Sequence, residues 1–426
     1  MSEAKQSLHN FLSSFKLESQ GLLFAQGKAD TAKVESVTVN GRKISVYTKE
    51  FWTSRQRQSA SIHEVSYRAC FKAQLPRFFI QLLSQPGDIV YDPFSGRGTT
   101  GLEAGLLSRR PILNDINPLS QILSKPRFFI PEVREVEKRL KSLTLSNSLK
   151  ADIDLSMFYH PRTESEIVSL KKHLKERAKS GTEDELDDWI RMVATNRLTG
   201  HSPGFFSVYT LPPNQALSPE RQKKINEDLK QIPEYRDTRA IILRKSRSLI
   251  SGLLKNDIEN LKKFGKSAVF LSSDARRVSK IASDSVQLTV TSPPFLDVVQ
   301  YADDNWLRCW FNDINVRGVG KKITIAKDIA AWTQFIKETF RELYRITKRD
   351  GWVAFEVGEV RSGKIKLEEY VAPAGMESGF QCEGILINEQ TFTKTANIWG
   401  IKNNAKGTNS NRIVLFRKTR HPKWIA

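Results

Sequence analysis

The chain reads as an α/β protein: a mostly parallel sheet carrying a largely helical insertion. Three observations predict this. Residues 87–118 run strand, glycine-rich loop, helix, strand. Strands and helices alternate again from residue 267 onward, a pattern that implies parallel strands with crossovers. Between these two stretches, over about 132–263, the apolar residues fall at helical spacing instead. The expected division is therefore 1–64 as an N-terminal extension, 65–131 as the first part of the core, 132–263 as the insertion and 264–426 as the second part of the core.

In order, Val34 to Tyr47 alternates around Asn40-Gly41, the signature of a β-hairpin. Arg77 to Leu83 reads as a helix with Pro76 in its first turn. Gly87 to Asp92 is a short strand, Pro93-Phe-Ser-Gly-Arg-Gly-Thr-Thr-Gly101 a glycine-rich loop, and Pro111 to Asp115 a second strand ending in an acid. Such a unit holds a ligand at the carboxyl ends of its strands, where the acid can take ribose hydroxyls. In the insertion, Thr163-Glu-Ser-Glu166 and Thr182-Glu-Asp-Glu185 read as capping boxes. A loop from Thr199 to Asn214, dense in Gly, Pro, aromatics and hydroxyls, lies among basic residues that include Arg244 and Lys245. Basic side chains interleaved with aromatics suit phosphate contact and base stacking, although any one of these helices can equally be a solvated face. Later strands are expected at 267–271, 286–290, 351–357, 379–386 and 412–417, with a helix over 332–347.

Composition narrows the class of protein. A formal net charge of +20 favours a polyanionic partner, most often nucleic acid. No apolar run approaches the ~20 residues that span a bilayer, and the polar start, Met1-Ser-Glu-Ala-Lys, is not a signal-peptide core. A cytoplasmic, nucleoid-associated protein with no membrane partner is expected. Cys70, Cys309 and Cys382 form no CxxC pair, and the six histidines add no zinc spacing, so no metal is expected.

The chemistry centres on Val290-Thr-Ser-Pro-Pro-Phe295, at the end of an alternating run. Two prolines fix two φ angles and remove two donors, which predicts rigidly aimed, free carbonyls. With Ser292 before them and the ring of Phe295 after, the corner can accept hydrogen bonds from an exocyclic amine and stack on its base. The glycine loop formally matches Gly-x-Gly-x-x-Gly, but Asp92-Pro93-Phe94 precedes it. A carboxylate there suits a cofactor with a cationic amino end and would repel a pyrophosphate, which disfavours a nicotinamide dehydrogenase.

Together, Asp92-Pro-Phe-Ser-Gly-Arg-Gly-Thr-Thr100 and Thr291-Ser-Pro-Pro-Phe295 resemble the amino-methylating, S-adenosylmethionine-dependent DNA methyltransferases. The resemblance covers about 65–125 and 266–420 and implies a Rossmann-like methyltransferase sheet. It implies that S-adenosylmethionine is held by Phe71, Asp92, Pro93, Phe94, Gly96, Gly98, Thr99, Asp115, Ile116, Asp274 and Ala275, and that Ser292, Pro293, Pro294 and Phe295 form the catalytic turn. Family members with Ser-Pro-Pro mostly methylate cytosine N4, and those with Asp- or Asn-Pro-Pro adenine N6, so N4 of a flipped cytosine in double-stranded DNA is the expected target. Adenine N6 and an RNA substrate are the alternatives. A cognate restriction endonuclease is a partner the resemblance admits. The insertion, placed between the second and third core strands, departs from the family's common layouts and is the candidate target-recognition region.

Overall fold

Val286–Thr291 is buried along nearly its whole length, the pattern of a strand covered on both faces, and it is an interior strand of a nine-stranded sheet. The computed structural model describes residues 3–15, 31–52, 59–67, 70–210, 216–294, 304–322, 328–360, 365–389 and 410–419. Its strands are β1 (Lys33–Val39), β2 (Arg42–Lys49), β3 (Ile89–Asp92), β4 (Arg110–Asn114), β5 (Val269–Leu271), β6 (Val286–Thr291), β7 (Thr347–Val357), β8 (Glu359–Val360), β9 (Ile365–Lys366), β10 (Gln381–Glu389) and β11 (Ser410–Arg417). The order across the sheet is β1-β2-β10-β11-β7-β6-β3-β4-β5, while β8 and β9 form a separate ribbon.

The strands from β5 to β7 pair in parallel, and β11 runs antiparallel to both β7 and β10. The chain moves outward from β3 to β4 and β5, then crosses back to β6 on the other side of β3. That reversal opens a crevice beyond the carboxyl ends of β3 and β6, the place where open α/β sheets bind ligands. The expected α/β, Rossmann-like sheet with a largely helical insertion is what forms.

One face of the sheet is covered by the helix Gln74–Leu83, whose Leu75, Phe79 and Ile80 meet Val90, Leu288 and Val290. On the other face the helix Ile329–Ile346 sets Ile336, Phe340 and Leu343 against Val353, Phe355 and Phe416. The hairpin β1–β2 turns at Asn40 (φ 46°) and Gly41 (φ 72°), the two positive φ values of a type I′ turn. Through Val46 opposite Ile385, β2 joins β10 in parallel, so the hairpin 33–49 extends the main sheet.

The insertion carries the helices Val133–Ser142, Pro161–Ser180, Glu185–Arg197, Pro219–Asp228, Thr238–Ile250 and Lys255–Gly265. It shares one apolar cluster with the cofactor side of the core, in which Trp189, Phe158 and Ile242 join Ile62, Leu102 and Leu106. Its last helix belongs to the layer flanking the sheet, where Asn260 Nδ2 donates to Leu106 O at 3.1 Å. The two expected capping boxes are displaced. Pro161 takes the first helical position behind His160, whose Nδ1 accepts from Arg162 N. Thr163 therefore lies within the helix, and its hydroxyl bonds the backbone of Arg236. In the next helix the reciprocal cap is Asp184 with Asp187, two residues beyond Thr182. Among the described residues no helix is long and apolar enough to cross a membrane.

Candidate active site

The glycine loop turns because Gly98 adopts φ 77° at the start of the helix Thr99–Leu106. A Cβ there would also stand 2.5 Å from that of Ser124. The turn lays Gly96 against the end of β4, where its N–H donates to Asp115 Oδ2 at 2.9 Å. The other oxygen, Oδ1, accepts from Asn117 N at 2.9 Å. Burial raises Asp115 to about 6, and these two N–H groups pull it back.

A cleft opens at the switch point, with a wall of mixed apolar and polar side chains such as small-molecule sites present. Of the residues expected at the cofactor, Phe71, Pro93, Phe94, Gly96, Thr99, Asp115, Ile116, Asp274 and Ala275 line it. Ser292 and Pro294 of the expected catalytic turn line it too. The rest of its wall comes from Tyr67, Cys70, Ser95, Asn117, Ser273 and Phe335.

Three expected residues do not line the cleft. Gly98 acts through backbone conformation, and Pro293 is buried beneath the turn. Asp92, 1 % exposed, lies below the lining. Its Oδ1 accepts from Thr291 Oγ1 at 2.7 Å and from Phe94 N at 3.1 Å, so it ties β3 to β6 and shapes the loop. Burial raises it to about 6, against the pull of those donors. Phe295, Tyr301, Asp303 and most of the loop from Lys402 to Asn411 lie outside the described residues.

The turn after β6 is fastened from two sides. Trp332 Nε1 donates to Pro294 O at 2.9 Å, so that carbonyl is occupied and not free as the two prolines alone suggest. Ser292 stands beside Glu356, a residue of β7 that is 6 % exposed, and its hydroxyl favours the ionised form of that carboxyl. Burial pushes Glu356 up, while Ser292 and Asn411, whose Nδ2 donates to Oε1 at 3.0 Å, draw it down. Sequence reading passed over Glu356 because it sits inside an apolar strand.

The wall opposite β4 is clasped by Arg97. Its guanidinium donates to Val65 O at 2.9 Å, with longer contacts to His63 O and Phe71 O, and so holds the segment bearing Tyr67, Cys70 and Phe71 against the glycine loop. Phe335 reaches in from the helix on the far face and packs on Phe94, ring centroids 5.9 Å apart.

A sheet of this order with a cleft at its switch point is the Rossmann-like arrangement that the sequence motifs lead one to expect. Residues 17–123 match the family described as DNA methylase (N6_N4_Mtase), so the amino-methylating family expected from the motifs is borne out over that segment, which carries the cofactor loop. Over 70 residues the chain is 40% identical to the type II methyltransferase M.PvuII of Proteus hauseri, covering 16% of this chain and 21% of that protein. Over 114 residues it is 32% identical to the type II methyltransferase M.BsoBI of Geobacillus stearothermophilus, covering 26% and 21%. The chain thus spans about a fifth of the length of the curated relatives it matches. Among solved structures, the rRNA methyltransferase aviRa of Streptomyces viridochromogenes aligns with a TM-score of 0.35 at 13% identity, over 87% of this chain and 94% of that one.

S-adenosylmethionine is the cofactor that goes with this family, and the cleft suits it. Apolar faces from Phe71, Phe94, Ile116 and Ala275 alternate with polar groups from Asp115, Ser273 and Asp274. Asn117, 2 % exposed, leaves its Nδ2 without a partner, a donor available to a bound group. Asp274 is already held by Arg276, with Nη2 at 2.6 Å from Oδ2. An adenine amine would therefore share that carboxylate, whose oxygens have further lone pairs.

Proposed function

We propose that the protein transfers a methyl group from S-adenosylmethionine to the exocyclic N4 of a cytosine flipped out of double-stranded DNA. The observation that carries this reading is the placement of Ser292 and Pro294 in the same cleft as Phe94, Gly96 and Asp115. The turn that would take the base and the loop that would take the cofactor end on adjacent parallel strands.

Each residue has a role in this reading. Asp115 takes the ribose hydroxyls, Asp274 with Ser273 and Ala275 the adenine, and Phe94 with Gly96 the methionine end. The sulfonium methyl is the electrophile that the cofactor supplies. Ser292 donates its proton to Glu356, which turns its lone pairs toward the cleft as an acceptor for an N4–H. Accepting from N4 raises electron density on that nitrogen. Pro293, buried and off the cleft wall, fixes the direction of the turn, and Phe295 stacks on the base. Transfer is direct, with no covalent enzyme intermediate, and rests on positioning and preorganised acceptors. Flipping costs a few kcal/mol, which the basic insertion, 132–263, offsets by holding the flanking backbone. The protein acts in the cytoplasm, on DNA.

The test is incubation with tritiated S-adenosylmethionine and unmethylated DNA, digestion to nucleosides and identification of the labelled nucleoside by mass. Label on N4-methylcytosine supports the reading. Label on N6-methyladenine keeps the site and rejects the base. Label confined to RNA rejects the DNA substrate.

A further inference from the structure

The arginines of this chain are commonly paired. Arg139 and Arg177 bind Asp184 and Asp187, Arg276 binds Asp274 and Glu338, and Arg345 binds Glu342. Others, such as Arg97 and Arg127, bond backbone carbonyls instead, and the loop that follows the helix Glu185–Arg197 gathers a cluster of this second kind. Three guanidiniums surround it, and no ion pair among the described residues engages any of them.

Arg236 Nη1 donates to Ser202 O at 3.1 Å and Phe205 O at 3.0 Å, and also to Ser207 O. Arg244 Nη2 donates to Pro203 O at 3.0 Å. Arg197, 8 % exposed, donates only to its neighbour Asn196, through the main-chain and the side-chain oxygen, and lies 4.0 Å over the ring of Phe205. The charged groups facing Arg197 are Arg308 and Arg244, of like sign, and Glu64, which Lys245 already holds at 3.0 Å. Burial, with the like charge of Arg308, pushes Arg197 down to about 10. A nearly buried cation without a carboxylate is costly to keep. Such a group is suited to meeting an anion from outside.

The position of the loop says which anion. Asn196 Nδ2 donates to Ser66 O at 3.1 Å, next to Tyr67 of the cleft wall. On its other side, Ala216 N donates to Asp304 O at 2.8 Å and Trp306 Nε1 to Leu217 O at 3.1 Å, so the segment after the catalytic turn is docked here as well. The helix end that carries Arg197 therefore touches the cleft wall, and Ala216 and Leu217 touch the chain beyond the Ser-Pro-Pro turn. We infer that Arg197 and Arg244, on two helices that flank the loop spanning Gly200 to Phe205, form a phosphate site for the DNA backbone beside the target nucleotide. This inference rests on the nucleic-acid reading above and adds to it the point where the strand is held.

The experiment measures binding of a fluorescent duplex DNA by anisotropy across a salt series, for wild type, Arg197→Gln, Arg197→Lys and Arg244→Gln. Thermal melting and S-adenosylmethionine titration of each protein run alongside. The expected result for Arg197→Gln is affinity lower by about tenfold and a log–log salt slope reduced by about 1. The same variant should melt no lower than wild type, because an uncompensated buried charge is gone, and should bind cofactor unchanged. Arg197→Lys should keep the salt slope. Wild-type affinity and slope in both glutamine variants would overturn the phosphate site and leave the proposed function standing. So would a DNA defect that comes with a lowered melting temperature and is shared by Arg197→Lys. If wild type ignores duplex DNA but binds structured RNA, and Arg197→Gln reduces that slope, the phosphate site stands and the DNA substrate falls. Binding to neither overturns both.

Discussion

The Thr291 hydroxyl donates to the Asp92 carboxylate at 2.7 Å, joining two residues 199 positions apart at the ends of the two strands that flank the switch point. Thr291 is the residue before Ser292, and Asp92 begins the cofactor loop. One hydrogen bond thus sets the Ser-Pro-Pro turn relative to the glycine loop. Thr291→Val keeps the shape and removes the donor. It should destabilise the protein by about 1–3 kcal/mol, because a buried carboxylate loses a partner. Urea unfolding measures this, and an unchanged midpoint would show that the bond carries nothing.

Asp92 makes folding pH-dependent. Its folded value, about 6, is raised above 3.8, so the folded state binds the proton more tightly than the unfolded chain. The stability contributed by protonated Asp92 is complete below about pH 4 and is lost as pH rises through 6. The loss is at most about 3 kcal/mol. Asp92→Asn should remove this slope and be at least as stable as wild type at pH 7.5. Melting temperatures of both proteins from pH 5 to 8 decide it; parallel curves would refute the assignment.

Asp115 is the carboxylate proposed to take the ribose. Asp115→Ala should weaken S-adenosylmethionine binding by about 30-fold or more, the loss of charge-assisted hydrogen bonds of roughly 2 kcal/mol. In wild type the affinity should fall as pH drops through 6, because protonation turns an acceptor toward the hydroxyls into a donor. Calorimetric titration at two pH values tests both.

Ser292→Ala should lower the single-turnover methylation rate by about 100-fold, the scale of losing one preorganised polar group at the reacting atom. Cofactor affinity should be unchanged. Glu356→Gln should lower the rate less, because an amide still orients Ser292 but polarises it weakly. Full turnover in Ser292→Ala would exclude the mechanism.

Trp332→Phe removes the indole N–H that holds Pro294 O and keeps most of the packing. The rate should fall by about tenfold with little change in cofactor affinity, since misplaced groups slow a reaction that depends on alignment. Stopped-flow methylation alongside cofactor titration separates the two.

The sequence by itself determined the local pieces of this site. A short apolar run marked β3 and alternation marked β6, Asn40-Gly41 marked the hairpin, and the glycines and prolines marked turns that few other residues can make. These are properties of a few adjacent dihedrals, so adjacent residues reveal them. What only the tertiary structure decided lies across the sheet. The parallel register that sets Thr291 opposite Phe355 brings Ser292 beside Glu356. Crossovers bring Tyr67, Cys70 and Phe335 to one cleft. Asp92, which reads from its neighbours as a cofactor ligand, becomes a buried brace because Thr291 stands next to it. Arg197 shows as an unpaired cation only once the folded insertion has spent the acids around it on other partners. Register, crossover and charge pairing depend on distances between residues far apart in the chain, and no local pattern carries that information.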